Sequence, residues 1–130
     1  MTVEREILSA TWEEQYTFSP AVITRGGRTV WLAGQVGFVD DSGKSLAGNF
    51  DAQVEQTFRN VEKVLKRAGG TLKDVVSMTV FVSDVRFSKR FTDLRRKYYP
   101  KDFPASALVT AAGFALPEIM LEIVAIAVVD

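Results

Sequence analysis

Hydrophobic positions fall into two periods along the chain, and the switches between them mark the elements. Ala21-Val22-Ile23-Thr24 and Thr29-Val30-Trp31-Leu32-Ala33 are β-prone runs around Gly26-Gly27, which predicts a hairpin. The chain to about residue 39 reads as β-rich, and Asp40-Asp41-Ser42-Gly43-Lys44 as a turn. Over residues 51–68, Val54, Phe58, Val61, Leu65 and Ala68 recur at spacings of four, three, four and three, the single stripe of a helix. Asn49 or Asp51 can cap its start and Gly69-Gly70 its end. Residues 75–82 read as a strand by length and β-propensity. A second helix is expected to open at Ser83 or Asp84 and close near Tyr99-Pro100, with Phe87, Phe91, Leu94 and Tyr98 as its buried stripe. Residues 107–111 and 119–129 are the last two predicted strands.

The expected order is β-β-α-β-α-β-β, an α+β domain with two helices on one face of a mixed sheet. The last strand is apolar on both faces: Met120, Val124, Ile126 and Val128 on one, Ile119, Leu121, Ile123 and Ala125 on the other. Such a strand needs cover on both sides. The helices supply one cover. The simplest second cover is another copy of the chain; the alternative is the N-terminal segment folded over that face. Within this apolar run stands one carboxylate, Glu122. Burying it is costly unless it is paired, hydrogen-bonded or reached by water.

Composition narrows the chemistry. The 130 residues read as a single domain, 1–130, with 47% hydrophobic and 25% charged residues, as in soluble globular proteins. Sixteen basic side chains balance sixteen acidic ones, which argues against nucleic-acid binding. Arg86, Lys89, Arg90, Arg95, Arg96 and Lys97 lie close together and read as the solvated face of a helix. The chain has no Cys and no His. Disulfides, Cys nucleophiles, the usual zinc sites, a Ser-His-Asp triad and any His general base are therefore excluded. The N-terminus does not read as a signal peptide, and no apolar run reaches the roughly 18 residues of a membrane span. The expected location is cytoplasmic, with no membrane or nucleic-acid partner.

Several stretches, in order along the chain, resemble the RidA/YjgF family. They are Leu32-Ala33-Gly34-Gln35-Val36; Phe50-Asp51-Ala52-Gln53-Val54-Glu55-Gln56-Thr57-Phe58-Arg59-Asn60-Val61 with Ala68-Gly69-Gly70; Val80-Phe81-Val82 followed by Asp84; Phe103-Pro104-Ala105; and the tail from Leu121 to Val128. Each is weak alone; together they are specific. The resemblance implies a chorismate-mutase-like fold, three copies packing their sheets into a central barrel, and small-molecule clefts between subunits. It also implies hydrolysis of reactive enamines or imines, such as 2-aminoacrylate, without metal or organic cofactor. In that chemistry an arginine grips the substrate carboxylate and a glutamate near the last strand positions or activates water.

By this resemblance the catalytic glutamate is Glu122. The other reading of Glu122 is an ion pair with a basic residue of a neighbouring subunit. The arginine that follows Phe-Pro-Ala in deaminating members is here Ser106. Serine cannot form arginine's bidentate clamp, and losing a contact of that kind costs roughly 2–5 kcal/mol. Ala21 stands where an early-strand tyrosine is common, Phe91 where the second helix carries an asparagine, and Ala33 in place of the serine before Gly-Gln. The expected substrate-binding set is Gly34, Ser106, Leu108, Ala21 and Phe91. Tyr16, Phe18, Trp31 and Arg28 read first as core or surface. These departures favour an enamine or imine other than 2-aminoacrylate as substrate. The alternative is a non-catalytic metabolite-binding protein of the same fold, which ligand-dependent stability without turnover would reveal.

Overall fold

The computed structural model describes residues 2–130. The chain runs β1 (Glu4–Ile7), β2 (Val22–Arg25), β3 (Arg28–Trp31), α1 (Phe50–Arg67), β4 (Val75–Val82), α2 (Ser88–Arg95), β5 (Ala105–Thr110) and β6 (Leu121–Val129). Short 3-10 turns occupy Trp12–Tyr16, Leu72–Asp74 and Val85–Phe87. A mixed sheet has the order β3-β6-β4-β5, with β4 and β5 parallel and β6 antiparallel to both its neighbours. The most apolar strand thus takes a central place, as burial on both faces requires. No helix among the described residues is long and apolar enough to cross a membrane.

The expected hairpin does not form. β2 pairs with β1 in a separate two-stranded sheet, whereas β3 pairs with β6. Gly26 and Gly27, at φ 78° and 75°, hand the chain from one sheet to the other, a conformation that glycine adopts without steric cost. Beside β6, Val30 packs against the core, while β2 alternates half-buried and exposed positions. Strand β1 was not foreseen because Glu4-Arg5-Glu6 shows no apolar alternation.

Helix α1 follows its stripe closely. Asn49 caps it by accepting from the Ala52 N–H. At the other end the Gly69 and Gly70 N–H groups donate to the carbonyls of Lys66 and Leu65, and Gly69 takes φ 83°. This is a Schellman closure. Val54, Phe58, Val61 and Leu65 are buried against Met78, Val80 and Val82 of β4 and Leu121, Ile123 and Ala125 of β6. The buried Gln53 amide donates to the carbonyls of Leu46 and Glu118 and accepts from the Met120 N–H. That clamp fixes the entry into β6 and turns Met120 against the core, away from the face of Val124 and Ile126 with which the alternation had grouped it.

Helix α2 is shorter than its pattern suggested. Asp84 caps the 3-10 turn that precedes it, accepting from the Arg86 N–H. The helix ends at Arg95. Its expected stripe is present, with Phe91 buried and Phe87, Leu94 and Tyr98 partly buried. One basic residue breaks the expected solvated face: Arg95 is 1% exposed.

The helices cover one face of the sheet. On the other lie Thr79 and Phe81 of β4, Glu122, Val124 and Ile126 of β6, Val109 of β5 and Trp31 of β3, as the cross-strand registers require. Trp31 is 75% exposed and Val109 42%. The N-terminal segment reaches only one end of this face, where Val3 lies near the buried Val128 and Arg5 donates to the Val128 carbonyl, and it leaves the part around Trp31, Val124 and Val109 open. Large open apolar faces are uncommon on monomeric proteins.

Candidate functional site

A cleft of about 920 Å³ opens beside β5, the edge strand of the sheet. That volume is ample for a small metabolite. Trp12, Tyr16 and Phe18 form one wall, the start of α2 another, and Ser106 and Leu108 of β5 the third. The aromatic wall is held together by edge-to-face contacts of Trp12 with Tyr16 and Phe18, at 6.0 and 5.5 Å between ring centroids. The segment carrying it is tied to β5 where the Ser19 N–H donates to the Pro104 carbonyl.

Arg95 lies behind Ser106. Its guanidinium donates to the Ser106 hydroxyl at 2.7 Å, the Thr17 hydroxyl at 3.0 Å and the Tyr16 carbonyl at 3.1 Å. It stacks over Phe91 at 5.1 Å. All these partners are neutral. Desolvation lowers its pKa to about 10, still high enough to keep it charged at neutral pH. The charged residues at the mouth are differently placed: Arg86 pairs with Asp84, and Lys89 with Asp93.

Glu122 sits on the opposite face of the sheet from Ser106. Ser106 shares its face with Met78 and the helices, and Glu122 shares the open face with Phe81. Among the described residues the Glu122 carboxylate has no ion pair and no hydrogen bond. Beneath it is Gly34. From Trp31 to Gln35 the chain advances four residues while the facing strand, Ile126 to Ile123, moves three. The extra residue makes a bulge. A Cβ on Gly34 would come within 2.8 Å of the Glu122 Cδ. Glycine lets the carboxylate lie directly against the backbone here, and a methyl group would push the flexible Glu122 side chain aside. Gly34→Ala is expected to keep the fold but displace Glu122, lowering any turnover on the order of a hundredfold; thermal melting and kcat measured together check this.

Ser106 and Leu108 thus line the cleft, whereas Glu122 and Gly34 form a second group across the sheet. Ala21 lies outside both, its carbonyl accepting from the Leu8 N–H. Phe91 is 0% exposed, a core ring beneath the Arg95 guanidinium. Tyr16 and Phe18 do reach the cleft. Arg28 instead donates to the carbonyls of Ala68 and Asp130. The sequence reading missed Arg95, yet a signal was there: Phe87, Phe91 and Arg95 recur every four residues, placing the arginine on the apolar stripe.

Comparison with known proteins agrees with this architecture. The sequence pattern of the family described as Endoribonuclease L-PSP matches residues 10–129. The chain belongs to this family, also called RidA/YjgF. It is similar to the human 2-iminobutanoate/2-iminopropanoate deaminase, with 31% identity over 112 residues, 85% of this chain and 79% of that one. The Rid-family protein YyfB of Yersinia pestis superposes with a TM-score of 0.84 at 28% identity, over 96% of this chain and 98% of that one. RidA from an Antarctic Psychrobacter superposes at 0.72 with 32% identity, over 87% and 89% of the two chains. RidA/YjgF membership therefore spans nearly the whole chain, including the Gly34 bulge, β5 and β6.

Proposed function

We propose that the protein hydrolyses a small enamine or imine to a carbonyl compound and ammonia, in clefts completed between the copies of a homotrimer. The observation that carries this reading is Glu122. It is a carboxylate without a partner among the described residues, on an open apolar face, over a glycine that makes room for it. The name of the human relative, an imine deaminase, supports it.

The chemistry suits a lone carboxylate. An enamine is first protonated at carbon to its imine tautomer, and protonation of the nitrogen makes the imine carbon electrophilic. Water adds to that carbon while Glu122 accepts a proton from it. Glu122 passes that proton to the amine, the C–N bond breaks with its electron pair leaving on nitrogen, and the hydroxyl returns its proton to Glu122 as its oxygen forms the new C=O bond. Water is consumed and ammonia released, with no change of oxidation state.

Glu122 and the Ser106 cleft lie on opposite faces of one protomer, so a second copy must bring its Glu122 to the cleft mouth. The open face supplies the apolar surface for that contact, with Trp31, Val124 and Ile126 beside Glu122. This arrangement fits a chorismate-mutase-like trimer, sheets inward and helices outward. The cleft volume and the serine at position 106 favour a substrate larger than 2-aminoacrylate.

The test is the rate of imine loss with and without the protein, for 2-aminoacrylate and for 2-iminobutanoate formed in place by an amino-acid oxidase. The larger imine is expected to be consumed faster. A folded oligomer that accelerates neither while gaining thermal stability from a ligand would be a metabolite-binding protein instead.

A further inference from the structure

The geometry points to Arg95, acting through the Ser106 hydroxyl, as the group that recognises a substrate carboxylate in this chain. The inference rests on the deaminase reading for the kind of ligand and deepens it: the substrate would be an imino acid, although no arginine stands on β5.

Three observations converge. First, Arg95 is 1% exposed yet contributes to the wall of the cleft. Its hydrogen bonds go to Ser106, Thr17 and the Tyr16 carbonyl, and among the described residues no carboxylate pairs with it. A desolvated guanidinium with only neutral acceptors is costly to keep. An anion arriving in the cleft would compensate it.

Second, the Ser106 hydroxyl accepts from Arg95 and so keeps its own proton to give. The other acceptor near it, the Ala107 carbonyl, is 3.5 Å away. A ligand oxygen in the cleft is the better acceptor, and the guanidinium polarises the hydroxyl toward it. Serine at 106 is thus the contact atom for a charge placed one residue deeper.

Third, the support around Arg95 is strained in its favour. Thr17 holds φ 62°, a left-handed conformation costly for a β-branched residue. Its hydroxyl accepts from the Arg95 Nε. The buried Phe91 ring lies beneath the guanidinium, 5.1 Å from its carbon to the ring centroid. The guanidinium is therefore preorganised at the cleft rather than free to snorkel away.

A purely structural role, tying the segment around Tyr16 to the sheet, would leave the cleft indifferent to ligand charge. Ligand charge is accordingly the readout. Binding of 2-oxobutanoate and of its uncharged methyl ester is measured by calorimetry or protein NMR. The parent protein is expected to prefer the carboxylate roughly a hundredfold. Ser106→Ala should cut that preference to about tenfold or less, and Arg95→Met should abolish it. Equal affinity of the parent for both probes overturns the inference, as does a folded Arg95→Met that keeps the preference. If Arg95→Met does not fold, the parent and Ser106→Ala decide. Turnover is measured separately on the parent. Carboxylate preference without turnover sinks the deaminase reading alone, and turnover without carboxylate preference sinks this inference alone.

Discussion

Glu122→Gln is expected to lower kcat for imine hydrolysis by roughly 10²–10⁴-fold, the usual contribution of a positioned acid–base group. Glutamine keeps the shape and still fills the space above Gly34. It cannot accept the proton of the attacking water. Among the described residues no ion pair or hydrogen bond is lost, so melting temperature and oligomeric state should stay close to the parent values. The Km should change little, because substrate is held from the Ser106 side of the cleft. A variant that retains full kcat would remove Glu122 from the chemistry and leave it as a spectator on the open face.

The second large effect concerns that face. Val124→Asp is expected to dissociate the oligomer into folded, inactive monomers. Val124 stands two residues from Glu122 on the same face of β6 and opposite Thr79. Its substitution leaves Leu121, Ile123 and Ala125, which face the helices, untouched. Within a packed interface, each unpaired carboxylate would cost about 3–5 kcal/mol, and a closed symmetric assembly repeats that cost at every copy. Light scattering should report monomer mass, circular dichroism a retained α+β fold, and the imine assay no turnover. An intact, active oligomer would show that the open face is not the contact.

The fold was legible wherever one pattern dominated. Helix α1 matched because its stripe, its asparagine cap and its glycine end agree with one another. Strand β4 matched residue for residue, as a long β-prone run beside a turn. The hairpin failed because local propensity cannot say which partner a strand prefers; β6 offered β3 a better surface than β2 did. The end of α2 was placed too late because Arg96 to Tyr99 continue the apolar spacing in turns outside the helix.

The candidate site was only half legible. Gly34 gave a sound signal, since glycine in a strand pattern marks a bulge or a close approach, and here it marks both. Arg95 was hidden by its neighbours: in a run with Arg90, Arg96 and Lys97 a buried cation looks like one more surface charge. What set it apart was its helical spacing from Phe91. That Ser106 and Glu122 lie on opposite faces depends on register and strand order, which no local pattern encodes.

The central claim is that one working site draws Glu122 from one copy and the Ser106 cleft from another. Mixing two inactive variants tests it most directly. Glu122→Gln and Ser106→Asp are co-expressed in equal amounts, the second placing a negative charge where the substrate carboxylate would bind. Each alone is expected to be inactive. Random mixing should restore activity to roughly a quarter of the sites, because a site that draws one intact half from each of two neighbours recurs at that frequency in a closed ring. Mixed oligomers that form but stay as inactive as either variant alone would place the whole site within one chain and contradict the account.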